Sequence, residues 1–291
     1  MSLKSLLDGY GRNTVTFIDP ENPDRPVTLQ TYRPKGHTPD WPLVIVQHGM
    51  LRNGDDYRDF WIPAAERHHL LIVAPTFPRE FYPETEDYNN GRILDDEGEV
   101  RDRRTWVFGA PARVVDALWE AGLVTQPKAR IYGHSAGGQF VHRMLSTQGG
   151  EPFEAAVAAN AGWYSLPTLD KPFPEGLGGI GLGEAELTRL FAYPLQLLAG
   201  IDDCGADAAN LPTNPEAIAQ GPGRLHRARN YFSLGKEAAE KMGVAFNWTI
   251  TEVPGIAHDG CAMSAAAAGL WFDGKLPATE DLTANAGAVN F

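Results

Sequence analysis

Short apolar runs recur along the chain at the spacing of β-strands, at residues 14–18, 27–32, 43–47, 70–74, 129–132, 155–159, 195–199 and 246–252. The third, fourth, fifth and seventh are continuous, as in Leu43-Val44-Ile45-Val46. That pattern belongs to parallel strands covered on both faces. The first two alternate or are bordered by proline, which predicts an antiparallel hairpin at a sheet edge. Helical periodicity fills the gaps between the later strands. Residues 110–121 carry Pro111 near the start, apolar Val115, Leu118 and Trp119, and Gly122 as a stop. Residues 227–242 end at Gly243 in the same manner, and an alanine-rich segment, 262–272, follows the last strand. Strands alternating with helices predict an α/β fold with an open, mostly parallel sheet.

Three stretches break this alternation. Residues 81–104 are dense in charge and read as a surface loop, 163–191 are rich in Gly and Pro, and 205–229 form a second long insertion. Loops of this length inside a compact domain are commonly functional. All three leave strand ends or the segments after them, where α/β sheets place their ligand crevice. With no internal repeat and no linker, residues 1–291 read as one domain with lid-like insertions.

Composition narrows the function. The 291 residues are ample for a sizeable core, and 43% hydrophobic content excludes disorder. A formal net charge of −12 leaves no basic stripe to replace phosphate counterions, so nucleic acid is not expected as a partner. No apolar run approaches a bilayer's thickness, so no membrane span is expected. Residues 1–12 hold no sustained apolar stretch, so no signal peptide is read there. The expected location is therefore the cytoplasm; secretion stays open if a leader has been removed. Oligomeric state is not readable.

The chemistry centres on Gly133-His134-Ser135-Ala136-Gly137-Gly138, which follows the strand at 129–132. After Ser135 the apolar residues Ala136, Phe140, Val141, Met144 and Leu145 share one helical face. A Gly-x-Ser-x-Gly turn between strand and helix strains the serine backbone and exposes its hydroxyl at the helix N-terminus. Ser135 is thus the candidate nucleophile. Serine needs a base to take its proton, and His258, after the last strand in Val253-Pro-Gly-Ile-Ala-His258, is placed to be one. Of the other histidines, His48 before Gly49 reads as structural, and His68 and His69 lack the partner spacing of a metal site. A carboxylate must orient the imidazole. Asp203, three residues past Gly200, is the first choice, with Asp202, Asp207 and Asp259 as alternatives.

The order Ser135, Asp203, His258 differs from the chymotrypsin and subtilisin orders, and the chain resembles the α/β-hydrolase superfamily along essentially its whole length. The elbow, His48-Gly49-Met50, and the stretch from Asn210-Leu-Pro to Gln220-Gly-Pro look most like the poly(3-hydroxybutyrate) depolymerase and feruloyl-esterase-like branch. The resemblance implies a three-layer fold with an eight-stranded, mostly parallel sheet. It implies an oxyanion hole from the N–H groups of Ala136 and Met50, with Leu51 or Gly49 as alternatives to Met50. It places an aromatic wall at Trp163 and Tyr164, with Trp61 and Trp106 as further candidates. The implied activity is serine-hydrolase cleavage of a carboxylic ester, small or oligomeric, through an acyl-enzyme and without a cofactor. The same triad also serves amidases and peptidases, and a non-catalytic binding protein could keep the fold.

Two further features need an outcome. Cys204 neighbours Asp203, and Cys261 lies three residues past His258. They are either free thiols or, if acid and base are bonded, near enough to form a disulfide. Gly176-Leu-Gly178-Gly-Ile-Gly181 matches a dinucleotide fingerprint, but it follows prolines rather than a strand and reads as a flexible lid. No metal-ligand spacing is present, and no metal is expected.

Overall fold

The computed structural model describes residues 3–208 and 210–285. Ala209 of the insertion 205–229, and both ends of the expected domain 1–291, lie outside the described residues. The strands are β1 (Gly11–Phe17), β2 (Val27–Arg33), β3 (Leu43–Gln47), β4 (Leu71–Thr76), β5 (Ala129–His134), β6 (Phe153–Ala159), β7 (Leu195–Gly200) and β8 (Thr249–Val253). They form one eight-stranded sheet in the order β1-β2-β4-β3-β5-β6-β7-β8. β1 pairs antiparallel with β2 and β2 with β4, and every other pairing is parallel. This is the expected α/β-hydrolase sheet with its antiparallel hairpin at one edge.

The helices are α1 (Gly54–Phe60), α2 (Ile62–His68), α3 (Thr85–Tyr88), α4 (Ala110–Glu120), α5 (Ala136–Gln148), α6 (Glu184–Ala192), α7 (Pro215–Ala219), α8 (Arg224–Met242), α9 (Gly260–Ala268) and α10 (Thr279–Asn285). Strand side chains alternate between faces, so each strand feeds two cores. Ile45, Val73, Ile131 and Leu197 face α4, α5, α6 and α8, whereas Val44, Ile72, Tyr132 and Leu198 face α1, α2 and α9. Among the described residues no helix is long and apolar enough to cross a membrane.

Several boundaries differ from expectation for local reasons. The last strand starts at Thr249, not 246, because Phe246 and Trp248 turn into an aromatic cluster with Phe191 and Phe232. Helix α8 starts three residues early, because Arg224 and Arg227 are buried and bonded rather than solvated. The alanine-rich helix α9 ends at Ala268 and passes into a wider turn over Gly269–Asp273. The charged stretch 81–104 is not simply a surface loop. Most of its charges face water, but Asp87 and Arg92 are partly buried and paired, Tyr82, Tyr88 and Ile93 are fully buried, and α3 forms one turn within it. Insertions 163–191 and 205–229 likewise contribute α6, α7 and the start of α8.

Helix α5 sits on the sheet through Phe140, which meets Phe108 edge-on at 4.9 Å and stacks on Tyr88 at 5.1 Å between ring centroids. Phe77 lies 5.6 Å away on the same patch. Truncating a buried phenylalanine leaves a cavity, so Phe140→Ala is expected to cost about 3–5 kcal/mol of unfolding free energy. Urea denaturation checks this, and a loss under about 1 kcal/mol would contradict the packing role given to Phe140.

Candidate active site

Ser135 sits between β5 and α5 with φ 59° and ψ −117°, outside the helical and extended regions. A non-glycine residue there costs roughly 1–3 kcal/mol and survives only if its neighbours leave no alternative. Here they do not. The Ser135 N–H donates to the carbonyl of Ala159 at the end of β6, 2.9 Å away. The flanking glycines are set by contact: a Cβ on Gly133 would lie 2.1 Å from the Gly137 carbonyl oxygen. One on Gly137 would lie 2.3 Å from that of Gln47, and one on Gly138 2.5 Å from that of Ala159.

His258 follows β8 and reaches the same point from the other side of the sheet ends. Its Nε2 lies 3.0 Å from Ser135 Oγ, and its Nδ1 lies 2.7 Å from Asp203 Oδ2. An ionised carboxylate only accepts hydrogen bonds. Nδ1 therefore carries the proton, and Nε2 is left as an acceptor facing the serine hydroxyl. Burial lowers the His258 pKa below the ordinary histidine value; Asp203 raises it in part, and Arg224 lowers it. The ring is thus neutral at pH 7.

Asp203 is buried behind β7, with Arg224 Nη1 donating to its Oδ1 at 3.2 Å. The alternatives have other surroundings: Asp202 and Asp207 are exposed, and Asp259 caps α9 by accepting from Ala262 N–H at 2.7 Å. The loops that carry Asp203 and His258 are sewn together by their backbones. Ile201 N–H donates to Val253 O and Asp202 N–H to Ile256 O, both at 3.0 Å.

His48 is structural, as expected, and its role is specific. It is buried, and burial first, then Arg52, lower its pKa to about 3, so the ring is neutral. Nε2 accepts from Phe77 N–H at 3.1 Å, which leaves Nδ1 to donate to Gly49 O at 2.7 Å. Its ring stacks on Tyr88 at 4.4 Å. These contacts fix the turn that carries Met50 beside Ser135. Among the described residues no backbone acceptor takes the N–H of Met50 or Ala136.

A cleft of about 670 Å³ opens over Ser135, lined among others by Met50, Ala136, Gln139, Trp163 and Asn210. Trp163 is in this wall, with the Arg143 guanidinium 5.0 Å from its ring centre. Tyr164 is not. It is fully buried and stacked on Tyr231 at 4.4 Å, so its expected substrate contact is corrected to a core role. Trp61 and Trp106 are also buried away from the cleft; Trp61 packs on Tyr132, and Trp106 donates its ring N–H to Arg101 O. Cys204 and Cys261 are free thiols. Cys204 is exposed with its backbone against Gly223, while Cys261 lies on α9 beside Phe60 and Ala265, where burial raises its pKa to about 11. Two of the fingerprint glycines, Gly176 and Gly178, close a packed turn: a Cβ on Gly178 would lie 2.3 Å from Leu169 O.

Three residues at the site had no reading as site residues in the sequence. Arg224 opens the basic run 224–229, which carries no local sign of a buried partner. His134 occupies the variable position of the elbow, yet is buried 4.6 Å from the His258 ring, with Nδ1 2.8 Å from the Tyr57 hydroxyl. Asn160, just past β6, holds a left-handed φ of 43°. Its Nδ2 donates to Ala257 O at 3.0 Å, and its Oδ1 accepts from Gly200 N–H at 2.8 Å. It therefore ties the residue before His258 to the strand end before Asp203. A strand followed by a lone asparagine was the only available signal.

No family model and no curated protein matches the chain. Solved structures do. Poly(3-hydroxybutyrate) depolymerase LpqC from Bordetella parapertussis is 51% identical, with 98% of each chain covered and a TM-score of 0.94. Poly(aspartic acid) hydrolase-1 from Sphingomonas sp. KT-1 is 34% identical over 90% of this chain and 98% of that one, with a TM-score of 0.85. An S-formylglutathione hydrolase from Agrobacterium tumefaciens, 16% identical over 92% and 97%, shares the fold at a TM-score of 0.55.

Replacing Asn160 with Ala removes both side-chain ties between the loops. A displacement of about 1 Å at a reacting group can cost ~100-fold, so kcat is expected to fall about 10–100-fold with KM little changed. Steady-state kinetics on a 4-nitrophenyl ester reads both; a kcat within about twofold of the parent would contradict the positioning role.

Proposed function

The chain belongs to the α/β-hydrolase superfamily of serine hydrolases, in the branch of poly(3-hydroxybutyrate) depolymerase, and we propose that it cleaves carboxylic esters through an acyl-enzyme on Ser135. The observation that carries this reading is the continuous chain of hydrogen bonds from Asp203 through His258 to Ser135 Oγ.

In this reading His258 Nε2 takes the hydroxyl proton as Ser135 Oγ bonds to the ester carbonyl carbon. The carbonyl oxygen becomes an oxyanion held by the N–H groups of Ala136 and Met50. One such donor is typically worth ~10²–10³ in turnover. Asp203 accepts from Nδ1 and steadies the imidazolium. The carbon–oxygen bond to the alcohol then breaks, and the leaving oxygen takes the proton from Nε2. Water repeats the cycle: His258 removes its proton, its oxygen attacks the acyl carbon, and Ser135 Oγ leaves with that proton as the acid is released. No step calls for a cofactor. Beside Ser135 and His258 a recess of about 30 Å³, bordered by Tyr57 and His134, has room for such a water.

The polyester-cleaving relative supports an ester of a hydroxy acid, polymeric or short, as substrate. A second reading, amide hydrolysis by the same residues, is favoured by the similarity to poly(aspartic acid) hydrolase-1, since poly(aspartic acid) is amide-linked. Matched 4-nitrophenyl esters and 4-nitroanilides separate the two.

Two outcomes test the ester reading. Ser135→Ala is expected to lower kcat on 4-nitrophenyl butyrate by about 10⁴–10⁶-fold with the fold intact by circular dichroism. Because only neutral imidazole is a base and burial holds the His258 pKa below the ordinary value, kcat/KM should rise with pH through a midpoint under 6.5 and be level by pH 7. A profile still climbing steeply above pH 7 would contradict His258 as the base.

A further inference from the structure

The cleft over Ser135 contains two guanidinium groups that pair with no carboxylate among the described residues. Arg52 and Arg79 both line it. Arg52 holds a left-handed φ of 62° and lies over the Tyr88 ring, 4.4 Å from its centre. Its Nη2 donates to the carbonyls of Tyr82 and Glu84, 3.2 Å each, while Nε and Nη1 are buried with no acceptor. Arg79 is exposed and donates Nη2 to Met50 O at 3.0 Å. It is near enough to Arg52 for its charge to disfavour that of Arg52. One layer below, Arg143 is fully buried and bonds only neutral groups: Ser165 Oγ, Asn89 O and Gln139 Oε1.

Three acids around the cleft are engaged elsewhere. Asp87, which bears on Arg52, is held by Arg25 and Arg92. Within the cleft lining, Glu175 bonds Lys171 and Glu216 accepts from Asn214, while Glu84 and Glu86 are exposed. Partly desolvated cations without an anion are unfavourable unless a ligand supplies one. A carboxylate is the group that a guanidinium fork matches best.

We propose that the arginine side of the cleft is a subsite for a carboxylate on the substrate, so that esters bearing a free acid, such as short ester oligomers that end in one, are preferred over neutral esters. Arg79 makes the contact, and Arg52 and Arg143 supply the field behind it. This rests on the ester-hydrolase reading of Ser135, and its substrate class is narrower than that reading requires.

The test compares mono-4-nitrophenyl adipate with methyl 4-nitrophenyl adipate, which differ only in whether the far end is a carboxylate or its methyl ester. A hydrogen bond to a charged group is worth about tenfold or more, so kcat/KM should favour the anionic ester by at least about tenfold. Arg79→Gln should bring that ratio close to one, and raising salt from about 0.05 to about 0.5 M should lower it in the parent. A ratio near one in the parent, or a ratio left unchanged by Arg79→Gln because both esters slow equally, would overturn the subsite. In the second case Arg79 acts only by holding the Met50 carbonyl. Titration calorimetry of Ser135→Ala with the same two esters separates the subsite from the chemistry. If the parent turns over neither ester, the ester reading fails, while tighter binding of the anionic ester upholds the subsite and equal binding overturns it.

Discussion

A serine held at φ 59° is a conformation that the unfolded chain scarcely visits, and the architecture around Ser135 can be understood as what keeps it there. The carbonyl of Ala159 takes its N–H from one side. From the other, helix α5 comes so close to strands β3 and β5 that only hydrogen fits at the Cα positions of Gly133 and Gly137. Phe140, one turn further on, anchors the helix in the aromatic patch formed with the buried part of the insertion 81–104. The Ser135 oxygen is thus aimed by backbone and packing. Its own side chain needs to make no bond within the fold except the one to His258.

Charge is handled with the same economy. Asp203 is a buried carboxylate, which is tolerable because it accepts from Arg224 on one oxygen and from His258 on the other. Two further buried histidines, His48 and His134, stay neutral because burial disfavours their charged forms. They serve as rigid polar spacers, one under the Met50 turn and one beside the His258 ring. Asn160 joins the backbone before Asp203 to that before His258 without adding a charge. Two guanidinium groups that pair with no carboxylate among the described residues, Arg52 and Arg79, line the cleft.

Much of this was legible in the sequence wherever the signal is local. The elbow glycines, the continuous apolar strands and the turn acid after Gly200 all follow from rules that span a few residues. What escaped was set by pairing over distance. Arg224 meets Asp203 across 21 residues, and Asn160 meets Ala257 across 97; neither separation leaves a periodic mark. Tyr164 was misplaced for a different reason. Neighbours in non-helical backbone point to opposite sides, so Trp163 faces the cleft while Tyr164 enters the core. The start of β8 was set too early because Phe246 and Trp248 look like strand residues but find better burial against Phe191.

Hydrolysis by the proposed route requires that Ser135 Oγ be made nucleophilic by the ring of His258. Intact-mass and peptide mass spectrometry after treatment with a fluorophosphonate measures this most directly, because the probe phosphonylates only an activated serine. The expected result is one adduct per chain, on the peptide that contains Ser135, lost in Ser135→Ala and strongly slowed in His258→Ala. A folded protein that stays unlabelled, or that takes the adduct on another residue, would contradict it.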